Sequence, residues 1–84
     1  MFYVYILKSL KDNNLYTGST NNLEKRLKEH NEGKVFSTKP RLPFEIIYYE
    51  AYKSESDARK RERNLKLRSR ALAQLRKRIE ESLK

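Results

Sequence analysis

The chain has no cysteine, no tryptophan, two glycines, two prolines, one histidine and no long apolar run. Each shortage removes a class of protein. Without cysteine there is no disulfide scaffold, no thiolate zinc site and no thiol nucleophile, and the composition suits a reducing cytoplasm. One histidine cannot build a histidine-rich metal centre. Two glycines leave no P-loop and no dinucleotide fingerprint, and no nucleophile elbow frames a serine. No stretch nears the ~20 apolar residues that span a bilayer, so no membrane partner is expected. The run from Phe2 to Leu7 has no basic segment before it and no small-residue cleavage pattern after it. It therefore does not read as a secretory signal, and a cytoplasmic protein is expected.

What the chain does have is positive charge. Its 84 residues, expected to form one domain over 1–84, carry a formal charge of +9. Residues 1–52 hold eight Lys/Arg against six Asp/Glu, and residues 53–84 hold twelve against five. A basic excess of this kind favours a polyanionic partner, most often nucleic acid. A highly charged solvated surface, or binding of ribosomal RNA by charge alone, is the plainer reading.

The order of elements follows from local pattern. Phe2 to Leu7 is β-branched and aromatic and predicts a strand. Lys11-Asp12-Asn13-Asn14 is turn chemistry tolerant of left-handed backbone. Leu15 to Ser19 predicts the returning strand of a hairpin, with Gly18 marking a bulge or a close backbone approach. A first helix is expected from an Asn21 N-cap with Glu24 three residues on, ending at Gly33. Leu23 and Leu27 form its apolar stripe. Lys34 to Pro43 reads as a loop, and Phe44 to Tyr52 as a third strand. A second helix runs from after Ser54 to about Leu67, with Asp57 completing a capping-box-like pair. A third begins near Ser69, with a seam of Leu72, Leu75, Ile79 and Leu83. The expected fold class is α/β (α+β), with a three-stranded sheet, an antiparallel hairpin within it, and helices packed on it in the order β-β-α-β-α-α.

Three features could carry chemistry. Ala58 and Leu65 set the inward stripe of the second helix, and Glu62 falls on that stripe. A carboxylate on the core side is costly unless something pairs with it. A metal ion would compensate. So would a salt bridge to Arg61 or Arg26, or a rotation that leaves Glu62 a solvated partner of Lys66. Arg26 and His30, four residues apart, share one face of the first helix at the edge of its packed side. An arginine there can hold a phosphate, and a neutral histidine can move a proton near neutral pH; an ordinary solvated surface is the plainer reading. Tyr3, Tyr5 and Leu7 alternate onto one face of the first strand, and Tyr16 and Gly18 share a face of the second. A hairpin would bring Tyr5 near Tyr16, although buried tyrosines are usually core residues.

Taken together these pieces resemble the GIY-YIG nuclease superfamily, in particular its small stand-alone bacterial members. Tyr3-Val4-Tyr5 is followed, eleven residues after Tyr5, by Tyr16-Thr17-Gly18; Arg26 comes ten residues after Tyr16, and His30 four further on. The loop Thr38 to Phe44 and the stretch Arg61-Glu62-Arg63-Asn64-Leu65-Lys66 complete the likeness over nearly the whole chain. The resemblance implies a three-stranded antiparallel sheet flanked by helices. It implies Glu62 as the only protein ligand to Mg²⁺ or Mn²⁺, Arg26 on the scissile phosphate, and Tyr5 and Tyr16 as the motif tyrosines, with Tyr5, Tyr16 or His30 taking the proton of the attacking water. His30 falls near the nucleophile and Asn64 at a supporting position. Two departures are Tyr3 in place of Gly and Thr17 in place of Ile. Ser19 stands where some repair nucleases carry lysine.

The implied activity is a metal-dependent DNA endonuclease with single-stranded or branched DNA as the candidate preferred substrate, serving repair, recombination or uptake. Lys39, Arg41, Arg59, Lys60, Arg63, Asn64 and Arg70 are the expected nucleic-acid contacts. RNA in place of DNA, a basic binding module without catalysis, and a subunit of a repair complex that docks through the third helix are the alternatives.

Overall fold

A computed structural model describes residues 1–84. Three strands form one antiparallel sheet: β1 (Phe2–Ser9), β2 (Leu15–Thr20) and β3 (Phe44–Tyr52), in spatial order β2-β1-β3. The helices are α1 (Leu23–Asn31), α2 (Glu55–Leu67) and α3 (Ser69–Arg78), with short 3₁₀ turns at Lys39–Arg41 and Glu80–Leu83. The expected order β-β-α-β-α-α is the one observed. No helix is long and apolar enough to cross a membrane.

β1 is the central strand, and its composition explains why. Val4, Tyr5, Ile6 and Leu7 are all buried in succession, so both faces of the strand are covered. Val4 and Ile6 pack with Ala58, Leu65, Leu75 and Ile79 under α2 and α3. Tyr5 and Leu7 pack with Phe44 on the opposite face, under Leu23 and Leu27 of α1. The molecule is thus a sheet with one helix on one side and two on the other. Two-residue alternation places the apolar groups correctly for both layers. A bulge between Ile6 and Leu7 shifts the β1–β3 register by one residue, which bends the sheet locally.

Local chemistry sets the ends of the elements. The hairpin turn holds Asn13 at φ 61°, the left-handed geometry that Asn tolerates. Gly33, at φ 75°, ends α1: its N–H reaches His30 O, and Lys34 N–H reaches Glu29 O. That pair of bonds is the Schellman arrangement, which satisfies the last carbonyls of the helix. The helix starts one residue later than its sequence pattern predicts. Asn22, not Asn21, is the N-cap, with its side chain accepting from Lys25 N–H. Two adjacent asparagines offer the same chemistry, and Asn22 is the one held extended, its N–H donating to Thr20 Oγ1 at 3.1 Å.

Ser54 precedes α2 as expected but makes no side-chain cap. The predicted seam of α3 is interrupted. The helix stops at Arg78, Ile79 is its C-cap, and Leu83 lies in the following 3₁₀ turn. Ile79 is buried nonetheless, packed with Val4, Ile6, Leu65 and Leu75, and Lys8 Nζ donates to Leu83 O at 2.6 Å, tying the C-terminal turn to β1.

The loop Lys34–Pro43 is pinned at both ends. Asn31 pairs with the backbone of Phe44, donating to its carbonyl at 3.1 Å and accepting from its N–H at 2.7 Å. Buried Ser9 donates to Arg41 O at 2.6 Å while accepting from Lys11 and Asp12 N–H. Leu65, 2% exposed, joins α2 to the sheet. Leu65→Ala should destabilise the domain by about 2–5 kcal/mol. Urea unfolding would show this as a lowered midpoint with an unchanged m-value.

Candidate active site

The first half of the site is built where β1, β2 and α1 meet. Tyr5 lies opposite Gly18 across the β1–β2 pair. A Cβ at position 18 would strike the Tyr5 hydroxyl and the end of its ring. Glycine there lets the ring lie flat over β2, so that its hydroxyl reaches α1. The Tyr5 hydroxyl meets His30 Nε2 at 2.9 Å. His30 is fully buried rather than at the edge of the packed face, where the helix pattern put it. Its ring sits in an aromatic box, with centroids 5.9 Å from Tyr5, 5.2 Å from Tyr16 and 5.8 Å from Phe44, all edge-on.

The other ring nitrogen fixes the tautomer. His30 Nδ1 meets Thr38 Oγ1 at 2.8 Å, and the Thr38 hydroxyl donates its own proton to Val35 O at 3.3 Å. Thr38 must then accept from Nδ1–H. Nε2 is left with its lone pair, and the Tyr5 O–H donates to it. A buried chain of hydrogen bonds runs from Tyr5 through His30 and Thr38 to the backbone, and no buried side-chain polar atom lacks a partner.

Protonation follows from this environment. Burial pushes the Tyr5 hydroxyl up to about 12, against the pull of the nearby Arg26 guanidinium. Burial, and then the charge of Arg26, press His30 down to about 4, Glu29 opposing weakly. At neutral pH both groups are uncharged. Arg26 approaches the Tyr5 hydroxyl closely enough to raise its own pKa, though outside the hydrogen-bond geometry that the Tyr5–His30 pair meets. Its other partner is Glu29, a loose 3.4 Å ion pair. Arg26 remains about a third exposed and faces a polar cleft of about 320 Å³ that also takes in Tyr3, Ser19, Lys25 and Arg59.

The second half comes from α2. Glu62 lies between Ala58 and Leu65 on the inward stripe, with its side chain 19% exposed. Oε1 accepts from Ser19 Oγ at 2.6 Å, and Oε2 takes Lys66 Nζ at 2.7 Å. Burial pushes its pKa up. Lys66, the Ser19 hydroxyl and the charge of Arg59 together outweigh burial, so the group lies below the ordinary carboxylate range and is ionised. Of Arg61, Arg26 and Lys66, Lys66 is the one paired with Glu62. Arg61 instead forms a two-pronged pair with Glu50, at 3.0 and 3.1 Å, where Tyr48 and Tyr52 also donate.

The two halves adjoin. Ser19 and Arg59 line both the cleft of Arg26 and a second one of about 490 Å³ that contains Glu62, Arg63 and Lys66. The Glu62 charge is felt at Tyr5. Lys66 Nζ stands 5.7 Å from the centre of the Tyr16 ring, which in turn packs edge-on against His30. Tyr5, Tyr16, Arg26, His30 and Glu62 therefore form one constellation.

The expected nucleic-acid contacts are more scattered. Arg59, Lys60 and Arg63 share an exposed face of α2 beside the cleft. Arg70 is exposed on α3, and Asn64 is half-buried on α2. Lys39 is exposed on the loop. Arg41 is committed elsewhere: it pairs with Asp12 at 2.8 Å, reaches Leu15 O, and covers Phe44 with its carbon 5.5 Å from the ring centre.

Thr38 was not legible as a site residue, since only the loop fold brings it to His30. Ser19 and Lys66 carried weak signals: one followed the second motif, the other stood four residues after Glu62.

A three-stranded antiparallel sheet with a buried tyrosine–histidine pair beneath α1 and a glutamate on α2 fits the GIY-YIG catalytic domain. The model of that family matches residues 1–78, and the chain belongs to it, a family of nucleases. Its relatives include UPF0213 proteins of Clostridium perfringens, 49% identical over 79% of this chain and 71% of that protein, and of Staphylococcus haemolyticus, 49% identical over 81% and 83%. The solution structure of a UPF0213 protein from Bacillus halodurans, 38% identical, aligns over 89% of this chain and 82% of the other with a TM-score of 0.54.

The neutral, buried His30 has a measurable consequence. Between about pH 6.5 and 4 the unfolded chain binds a proton at this position that the folded chain refuses. Stability must therefore fall as pH falls through that window. Asp12, held at about 2 chiefly by its hydrogen bond to Arg41, adds its loss only below its ordinary value of 3.8. Thermal unfolding followed by circular dichroism should show Tm dropping by roughly 5–10 °C between pH 6.5 and 4. His30→Gln should start lower and be nearly flat over the same range.

Proposed function

We propose that the protein is a divalent-metal-dependent endonuclease that hydrolyses phosphodiester bonds of DNA. The observation that supports this best is that Ser19 and Arg59 line both the cleft of Arg26, which lies beside the uncharged Tyr5–His30 pair, and the adjoining cleft of the ionised Glu62.

No three His, Cys, Asp or Glu side chains gather into a protein-only metal cage. The donor set instead suits Mg²⁺ or Mn²⁺ on a single ionised carboxylate, Glu62, with water and phosphate oxygens completing the shell. When bound, such an ion would offset charge on a non-bridging phosphate oxygen and on the departing 3′-oxygen.

The chain's own residues account for the rest. Arg26, paired only at 3.4 Å with Glu29 and open to the cleft, holds the phosphate and stabilises the charge that builds on it in the transition state. Tyr5 is too basic to be ionised at neutral pH. It serves by relay: its oxygen takes a proton from the attacking water as its own passes to His30 Nε2. Arg26's charge is one cause of the low His30 pKa. A phosphate on Arg26 offsets that charge and makes His30 the better acceptor when substrate is present. Thr38 holds the imidazole in the tautomer that this requires. Tyr16 walls the imidazole and keeps its orientation. The basic face of Arg59, Lys60 and Arg63 guides the strand into the cleft, by contacts to phosphate that carry little sequence information.

The test is cleavage of labelled single-stranded and duplex DNA, with RNA as a comparison, in Mg²⁺ or Mn²⁺. Wild type should cut DNA to products with 5′-phosphate ends. Tyr5→Phe should lose about 10²-fold or more in rate, and Glu62→Gln should abolish the response to metal. Equal cutting by wild type and Glu62→Gln would overturn Glu62 as the metal carboxylate, and salt-sensitive binding with no cleavage at all would leave a basic binding module as the reading.

A further inference from the structure

Lys66 belongs to none of the roles above, yet it touches two of the groups that fill them. Both oxygens of Glu62 are engaged, one by a neutral hydroxyl and one by the Lys66 ammonium. The partners are unequal. Glu62 is largely enclosed and is held by Ser19 from β2, whereas the Lys66 side chain is 44% exposed and swings from the outer edge of α2. The ammonium also lies over Tyr16, one wall of the aromatic box of His30. We propose that Lys66 is the resident counter-ion of the metal site: its ammonium occupies Glu62 until a divalent cation and a DNA phosphate arrive together, so that metal and DNA bind cooperatively. This rests on the reading of Glu62 as the metal carboxylate.

The argument is one of charge and space. An ion such as Mg²⁺ sits about 2.0–2.1 Å from its carboxylate oxygen. An ammonium 2.7 Å from the same oxygen would then lie against a doubly charged neighbour. Lys66 must leave, and without DNA it leaves for water in a cleft already lined by Arg59 and Arg63. Metal binding to the free protein is therefore opposed. A phosphate in the cleft changes the balance, because it gives the displaced ammonium an anionic partner within the reach of its flexible stem. By linkage, whatever DNA does for metal affinity, metal does equally for DNA affinity. A lysine that only opposed the metal by its charge, without passing to a phosphate, would leave the enhancement by DNA the same with lysine or methionine at position 66.

The measurement is Mn²⁺ binding, read from the electron paramagnetic resonance signal of free Mn²⁺. In protein without DNA, Lys66→Met should bind Mn²⁺ about 3- to 10-fold more tightly than wild type, and Lys66→Arg, which keeps the charge, should not. Tyr5→Phe removes the hydroxyl and keeps Arg26 and Glu62. In that background, a single-stranded oligonucleotide should tighten Mn²⁺ binding clearly when position 66 is lysine and much less when it is methionine. Binding that disappears in Glu62→Gln but is equal in wild type and Lys66→Met, or DNA enhancement that is equal with either residue at 66, overturns the role of Lys66 alone. Binding that survives Glu62→Gln unchanged overturns the metal reading and this inference with it.

Discussion

The hydrogen bond between the Tyr5 hydroxyl and His30 Nε2 is the contact on which most of the architecture converges. It joins the central strand to the one helix on its side of the sheet. Through Thr38 it also fixes the loop that follows that helix. Burying an imidazole and a phenol costs free energy unless every polar atom is paired. The geometry around them follows from that demand. Gly18 has no side chain, so the Tyr5 ring can cross β2. Asn31 and the Schellman end of α1 turn the chain back towards Phe44. Phe44 and Tyr16 exclude water from the imidazole. The same chain of bonds that holds the fold also selects the tautomer, and a fixed tautomer is what proton transfer needs.

Two half-buried glutamates show how environment separates a structural carboxylate from an available one. Glu50 receives both prongs of Arg61 and the hydroxyls of Tyr48 and Tyr52. Its oxygens are saturated by planar or rigid groups, and it serves to clasp β3 to α2. Glu62 is bound by one hydroxyl and one flexible ammonium. Replacing a bidentate arginine disrupts a geometry, whereas displacing a lysine disrupts only a charge. The excess of basic residues on α2 makes both carboxylates tolerable. It also gives the cleft the potential that draws in a polyanion.

Much of this could be read along the chain, and some could not. Most strand and helix limits followed from two- and four-residue periodicities and from turn residues, because those signals are local; the end of α3 did not, since its apolar seam continues into a 3₁₀ turn. The one-residue slip at the start of α1 arose where Asn21 and Asn22 offer the same cap chemistry, and only the extended backbone at Asn22 decides between them. His30 looked marginal because a helix pattern shows which residues share a face, not how deeply that face is buried. Arg41 counted as a free cation in the sequence. Its engagement with Asp12 depends on a loop folding back across 29 residues.

The sequence by itself determined the elements, the excess of positive charge, the two inward stripes of β1 and the placement of Glu62 on the core side of its helix. These depend on spacing along one chain. Tertiary structure alone decided what Glu62 pairs with, which proton His30 carries, and that Thr38 and Lys66 belong to the site. Those are matters of distance between elements and of burial, and both are set only once the sheet has a helix on each side.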